Sequence, residues 1–326
     1  MNQSAGNQIK SMNCILCKSK DIIIIETIGR NDVIKLWLDF DVNVYDEIKT
    51  PVVNKYCCNN CGLIQYDPKN AGGDKFYSRL GEFEWYYLHE GKSEYDFIQK
   101  YINENDNLLD VGSGRGVLYT RIKKNMNYTG LELSTKAIEL AKSEGINVIN
   151  EDMLIHAEKN PGKYDIVCLF QVLEHLTELD KFIAAVRKCM KTGGIFCVAV
   201  PNNDGFLKDV TNNAFNMPPH HTLLWNRRSL EKLGEIFNLK PVQFYLEDLQ
   251  DVHKEWYFKN YVSNKVKHII GKNHKTVDNS FMNSKLNSIL SRFGPDNTLG
   301  KSLRKNVFRK ERKGHSIIAV FKKEHE

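Results

Sequence analysis

Between about residue 106 and residue 200, short apolar runs alternate with amphipathic stretches at a regular pitch. "NLLDVG" (107–112) predicts a buried strand and "GVLYTRIKKN" (116–125) a helix. "YTGLEL" (128–133) predicts a second strand, and "TKAIELAKSEG" (135–145) a helix stopped by glycine. "INVINED" (146–152), "YDIVCLF" (164–170) and "GIFCVAV" (194–200) continue the strand series. The helix "ELDKFIAAVRKCMK" (178–191) precedes the last of these. "SLEKLGEIF" (229–237) adds a helix and "KPVQFYLEDL" (240–249) a strand. Strands and helices alternating in this way predict an α/β fold with a doubly wound, mainly parallel sheet.

The two ends differ in texture. In residues 1–80 the strand candidates are "DIIIIETI" (21–28), favoured by the stiff isoleucine side chain, and "CGLIQYDP" (61–68). Five of the eight cysteines lie there, which predicts a small cysteine-organised module. Towards the other end, "VSNKVKHIIGKN" and "NSKLNSILSRF" have helical spacing, and "HSIIAVFKK" (315–323) predicts a final strand. The expected division is a module at 1–80, an α/β domain at 81–250 and 314–326, and a helical insertion at 251–313.

Charge singles out that insertion. From Lys254 to Lys313 there are 15 Lys and Arg against four Asp and Glu, a net +11, while the whole chain carries +6. Such a segment is a solvated helical face or a surface for phosphates, whether on a small molecule, a nucleic acid or a membrane. No apolar run approaches the roughly 18 residues of a membrane span. The opening "MNQSAGNQIK" is polar, so a cytoplasmic location is expected, where thiols stay reduced.

"LLDVGSGRG" (108–116) sits between a predicted strand and a predicted helix. Gly112, Gly114 and Gly116 permit a sharp turn and a close ligand approach. The dinucleotide pattern requires glycine where Val117 stands, so the motif is Gly-x-Gly-x-Gly preceded by Asp110. With this motif the chain resembles the class I S-adenosylmethionine-dependent methyltransferases, over roughly residues 90 to 247 and the last strand. The resemblance implies a seven-stranded sheet and S-adenosylmethionine as cofactor. It also implies that Glu132 receives the ribose hydroxyls and that Asp152 and Met153 meet the adenine. "YDIVCLFQVLEHL" resembles the fourth-strand motif, with Gln171, Glu174 and His175, and "MKTGGIFCVAVPN" the fifth, ending at Pro201 and Asn202.

Cys14-x-x-Cys17 and Cys58-x-x-Cys61 have the spacing of two zinc-binding pairs, with Cys57 as a substitute for Cys58. Four thiolates leave no open position, so the zinc would be structural. Cys168, Cys189 and Cys197 read as core residues. Cysteine pairs followed by "CGLIQ" and the sheet resemble the sugar C-methyltransferases, which carry a zinc-ribbon-like module before the catalytic domain. That implies a small-molecule acceptor, a sugar nucleotide or glycan precursor bearing phosphate, with C- or O-methylation. The alternative is a nucleic-acid-binding or RNA-modifying protein using the zinc module and the basic insertion.

Three histidines are candidate bases: His175 after the fourth strand, and His220 and His221 in "MPPHHTLLW" (217–225). Each is also readable as a hydrogen-bonded structural residue. A metal on His220 and His221 is the least favoured reading, because neighbours on an extended loop point to opposite sides. Tyr86 and Tyr87 read as packing between modules or as groups that cover the donor or hydrogen-bond the acceptor, and Trp225 as anchoring the return into the next helix.

Overall fold

The fold is given by a computed structural model, which describes residues 12–83, 93–280, 283–286, 288 and 313–324. Tyr86 and Tyr87 lie outside the described residues, as does most of "NSKLNSILSRF".

The chain opens with strand β1 (Ile22–Gly29), helix α1 (Arg30–Leu38), β2 (Val52–Cys58), β3 (Ile64–Gln65) and α2 (Asp74–Leu80). β1, β2 and β3 form an antiparallel meander. The strand expected over 61–68 is reduced to two residues. Gly62 turns the chain back at φ +72° with its N–H on the Cys58 carbonyl, and a 3-10 turn begins at Pro68. The α/β part follows: α3 (Ser93–Ile98), β4 (Asn107–Val111), α4 (Val117–Arg121), β5 (Asn127–Leu131), α5 (Thr135–Ser143), β6 (Val148–Ile149), α6 (Met153–Lys159) and β7 (Tyr164–Phe170). It continues with α7 (Leu179–Cys189), β8 (Met190–Pro201), β9 (Leu223–Leu224), α8 (Arg227–Ile236), β10 (Leu239–Asp248), α9 (Asp251–Ile269) and β11 (Lys313–Lys323).

Seven of these strands form one sheet in the order β10-β11-β8-β7-β4-β5-β6. The pairs from β6 to β8 are parallel, and β11 inserts antiparallel between β8 and β10. Alternate residues of each strand go to opposite faces. Leu109, Val167, Val198 and Phe321 pack on one face with Ile183 and Val186 of α7 and Leu230 and Leu233 of α8. Leu108, Ile166, Cys168, Cys197 and Val320 pack on the other with Ile98 of α3 and Ile138 and Ala141 of α5. Cys168, Cys189 and Cys197 are thus core residues. Cys14, Leu16, Cys58, Cys61 and Leu63 belong to the first of these cores, so the N-terminal module is packed on the sheet.

A further contact fixes the module. β9 follows the "PPHHT" segment and pairs with β3, Ile64 opposite Leu224 and Gln65 opposite Leu223. The expected strands and helices otherwise stand where the hydrophobic pattern puts them, with two shortened. β6 is two residues at a sheet edge, and α4 ends at Arg121. The helix of the basic segment is longer than "VSNKVKHIIGKN" predicts, beginning at Asp251. Its Tyr257 and Phe258 pack on Phe206, Leu207 and Val210. Lys267 is buried in an ion pair with Asp278, 2.9 Å apart. No helix among the described residues is long and apolar enough to cross a membrane.

Candidate functional site

β4 connects onward to β5 on one side, whereas its other neighbour β7 leads to β8, so the loops at their carboxyl ends diverge. This is the topological switch point where open α/β sheets bind ligands. A cavity of about 1490 Å³ lies there, larger than the roughly 300–1,000 Å³ that holds one drug-sized ligand. Its lining includes Asp110, Gly112, Gly114, Glu132, Asp152, Met153, Gln171, His175, His220 and His221. Of the candidate residues in the sheet, only Gly116 is absent from that lining. It is buried at φ +81° at the start of α4, and a Cβ there would meet Ile146 Cγ2 at 2.7 Å.

The glycine loop and Glu132 form one end. Gly112 and Gly114 have φ of +72° and +55°. A Cβ on Gly112 would stand 2.6 Å from Val172 Cγ2, whereas one on Gly114 would meet nothing within 4 Å. Gly112 is therefore required by packing and Gly114 leaves open space beside the loop. Glu132 accepts hydrogen bonds from the backbone N–H groups of Gly114 (2.9 Å), Leu133 (2.8 Å) and Ser134 (2.9 Å). These bonds hold the carboxylate at the mouth of the loop. Asp110 is buried and accepts from the Tyr128 hydroxyl at 2.8 Å. Asp152 caps α6 through the N–H groups of Leu154 and Ile155. Gln171 adopts φ +60°, unusual for a side chain with a Cβ, directly after β7, and its Nε2 donates to Glu94 Oε1 at 3.2 Å.

The three histidines form the other end. His175 closes a 3-10 turn after β7, while His220 and His221 come from the long loop after β8. Their rings meet. His175 lies edge-on to His220 at 4.6 Å and to His221 at 4.8 Å, and His220 and His221 stack at 4.4 Å with planes 20° apart. This corrects the expectation that the adjacent pair would diverge. The segment is a turn closed by the His221 N–H on the Met217 carbonyl, so the alternation of an extended chain does not apply.

Each ring commits its Nδ1 to a carbonyl oxygen: His175 to His220 O at 2.8 Å, His220 to Phe215 O at 3.0 Å, and His221 to Asn216 Oδ1 at 3.3 Å. A carbonyl only accepts, so Nδ1 carries the proton and Nε2 the lone pair. The Asn216 amide is oriented in turn, since its Nδ2 donates to Asn203 Oδ1 at 2.9 Å while Asn203 Nδ2 donates to Pro201 O at 3.1 Å. Burial pushes the pKa of His220 well down, helped by the neighbouring His175. Burial does the same for His221, reinforced by His220, His175 and His315. Both rings are therefore neutral near pH 7.

The N-terminal module grips this loop by successive carbonyls. Trp37 Nε1 donates to Pro218 O at 3.0 Å, the Gly72 N–H to Pro219 O at 2.8 Å, and the Tyr66 N–H to Thr222 O at 2.9 Å. The Tyr77 hydroxyl donates to His220 O at 3.2 Å, and burial beside the Glu174 carboxylate keeps that phenol protonated. Trp225 is fully buried and Asn226 caps α8 in a capping box with Ser229, so the loop is anchored at its exit as the sequence predicts. Sequence reasoning missed Trp37, Tyr77, Asn203 and Asn216, none of which carries a motif. It also missed Val252, His253 and Trp256 of α9, which line the same cavity.

Cys14, Cys17, Cys58 and Cys61 bring their sulfurs within 4.8 Å of one another, with Cys14–Cys61 and Cys17–Cys58 both at 3.5 Å. A tetrahedron of about 2.3 Å metal–sulfur bonds has sulfurs about 3.8 Å apart, so the donor set fits zinc. Cys57 is not in the cluster. The Cys14 thiol is drawn down to about 5, chiefly by its hydrogen bond with Cys61, and the same bond pushes Cys61 up.

Residues 85–243 match a family model described as a methyltransferase domain. The ubiquinone biosynthesis O-methyltransferase of Pectobacterium carotovorum is 30% identical over 94 residues, 27% of this chain and 39% of that protein. Its counterpart from Serratia proteamaculans is 32% identical over the same shares. The chain thus spans about two fifths of the length of these curated relatives. Among solved structures, an S-adenosylmethionine-dependent methyltransferase from Archaeoglobus fulgidus aligns with TM-score 0.47 at 17% identity, covering 77% of this chain and 100% of that one. Phosphoethanolamine N-methyltransferase 2 of Haemonchus contortus aligns with TM-score 0.49 at 13% identity, covering 93% and 69%. Residues 85–243, just under half of the chain, thus resemble a methyltransferase domain.

Proposed function

We propose that the protein transfers the methyl group of S-adenosylmethionine to an oxygen or carbon of a small hydroxylated acceptor, a sugar nucleotide or glycan precursor. The observation that carries this is a single cavity with the glycine loop and Glu132 at one end and three histidines at the other. S-adenosylmethionine, when bound, supplies an already activated methyl group, so alignment is the main demand on the protein. Glu132 would receive the ribose hydroxyls, Asp110 and Gln171 would border the donor, and Asp152 and Met153 would border the adenine.

At the acceptor end, Asn212, Asn213 and Asn216 together with Phe215 and Trp256 suit a sugar, offering amides to hydroxyls and rings to apolar faces. An imidazole with Nδ1 bonded to a carbonyl and Nε2 unprotonated is prepared to accept a proton, so one of His175, His220 and His221 would serve as base. The basic segment supports an acceptor-side role, because its first helix lines the cavity. We assign zinc to the four cysteines as a structural ion. It would hold β3, and through β9 the histidine loop, without touching the chemistry.

The test is calorimetric titration of the zinc-loaded protein with S-adenosylmethionine, followed by labelled methyl transfer to a panel of sugar nucleotides. Donor binding in the micromolar range and label in a sugar product are expected. Label in RNA instead of any sugar would overturn the acceptor assignment.

A further inference from the structure

The histidine cluster has the features of a metal site. His175 and the His220–His221 pair are 45 residues apart in sequence yet bring their donor atoms within 4.8 Å of one another at the wall of the cavity. Metal-binding histidines almost always donate the non-ligating ring N–H to a carbonyl or carboxylate, which fixes the tautomer and the ring plane. All three rings here do so through Nδ1, two to backbone carbonyls and one to the oriented Asn216 amide. Three rings with fixed planes thereby bring nitrogen donors together in one small volume.

We propose that His175, His220 and His221 bind a divalent transition-metal ion through their Nε2 atoms. The ion's remaining positions would receive oxygen atoms of the acceptor. Three imidazoles suit zinc and its first-row neighbours better than magnesium or calcium, which require oxygen ligands. With metal–nitrogen bonds of about 2.1 Å the nitrogens would stand about 3.4 Å apart, so the cluster has to close by up to about 1.4 Å. Closure also requires the His220 and His221 rings to turn out of their 20° stack, because a ligating lone pair lies in the ring plane. Three ligands leave a fourth position open, in contrast to the four cysteines, which close their site. The acceptor would then present a hydroxyl, or two neighbouring oxygens, to the ion, and with all three rings ligated the ion's acidification of that hydroxyl would replace the imidazole base of the metal-free reading. This reading rests on the acceptor end assigned above but concerns metal binding, which is measurable without turnover.

The experiment is metal analysis of the full chain after zinc loading and exhaustive desalting, with donor affinity measured on the same samples. The expected result is about two equivalents of zinc in the wild type and about one in His221→Gln and His175→Gln, with donor binding retained. Cobalt added to protein whose cysteine site already holds zinc provides the second measurement. Its uptake should give ligand-field bands without thiolate charge transfer, and His221→Gln should abolish them. A wild type that holds about one equivalent and takes up no cobalt overturns the proposal, as does a second equivalent that survives both histidine variants. If the wild type binds no donor, the methyl-transfer reading fails while the metal count still decides the site.

Discussion

The rings of His220 and His221 stack with centroids 4.4 Å apart and planes 20° apart, although the residues are neighbours in sequence. A turn closed on Met217 turns both side chains the same way, and the carbonyls around it are held by Trp37, Gly72, Tyr66 and Tyr77. The histidine end of the cavity is thus assembled by the N-terminal module as much as by the sheet.

If the module buttresses the loop, removing its metal should affect catalysis from a distance. A thiol-selective chelator, or Cys58→Ser, should lower the thermal midpoint and reduce turnover by about tenfold or more, since structural zinc contributes directly to folding. Thermal melts and turnover on the same samples check this. Turnover that survives complete loss of the cysteine-bound ion would separate module from loop.

Asn216 fixes the tautomer of His221 and lines the cavity beside it. Asn216→Ala should reduce kcat by about 10–100-fold, the usual effect of removing a partner that orients a functional histidine. Donor affinity measured by calorimetry should stay unchanged. An equal loss in both quantities would indicate a general disturbance of the loop.

The two loop glycines should respond differently to alanine. Gly112→Ala sets a Cβ 2.6 Å from Val172 at a positive φ, and should cost about 1–3 kcal/mol of stability. Gly114→Ala meets open space, so its stability cost should be about 1 kcal/mol while donor affinity falls more steeply. Denaturant melts and donor titrations of both variants distinguish the two effects.

Glu132→Gln keeps the shape but removes the charge that three backbone N–H groups and the ribose would share. Charge-assisted hydrogen bonds are about twice as strong as neutral ones, so donor affinity should fall about tenfold or more. Calorimetry with the product S-adenosylhomocysteine gives a second value. Unaltered affinity for both would remove Glu132 from the donor site.

Asp278 supplies a pH signature for the basic segment. Burial pushes its pKa up, but hydrogen bonds from Ser280 and Lys267 prevail and hold it at about 2. The unfolded value is about 3.9, so the ion pair contributes fully above about pH 4 and is lost as pH falls towards about 2. Asp278→Asn should therefore flatten the acid limb of the stability profile. It also leaves the buried Lys267 without its counter-charge, at a cost of about 3–5 kcal/mol. Urea melts between neutral and acid pH measure both.

Much of this was legible in the chain. The strands β4, β7, β8 and β11 are continuous apolar runs because both faces of the sheet are covered where they lie, and such runs stand out against polar turns. Short elements were less legible: β3 and β6 are two residues each, and their extent depends on the partner strand rather than on their own composition. The glycine motif, Glu132 and the cysteine pairs were readable because each depends on local backbone geometry or fixed spacing. The glycine-loop end of the cavity therefore followed from sequence with little help.

The histidine end did not. The sequence by itself determined the α/β sheet, the glycine loop with its acidic partner, the four-cysteine set and the presence of three histidines near the ligand edge. Only the tertiary structure decided that His175, His220 and His221 converge, that Asn216 and Tyr77 orient their surroundings, and that the first helix of the basic segment walls the cavity. The physical reason is range. Strand, turn and metal-pair signals are carried by residues within a few positions of one another. Ring convergence depends on contacts between residues as far apart as Trp37 and Pro218, which no local pattern encodes.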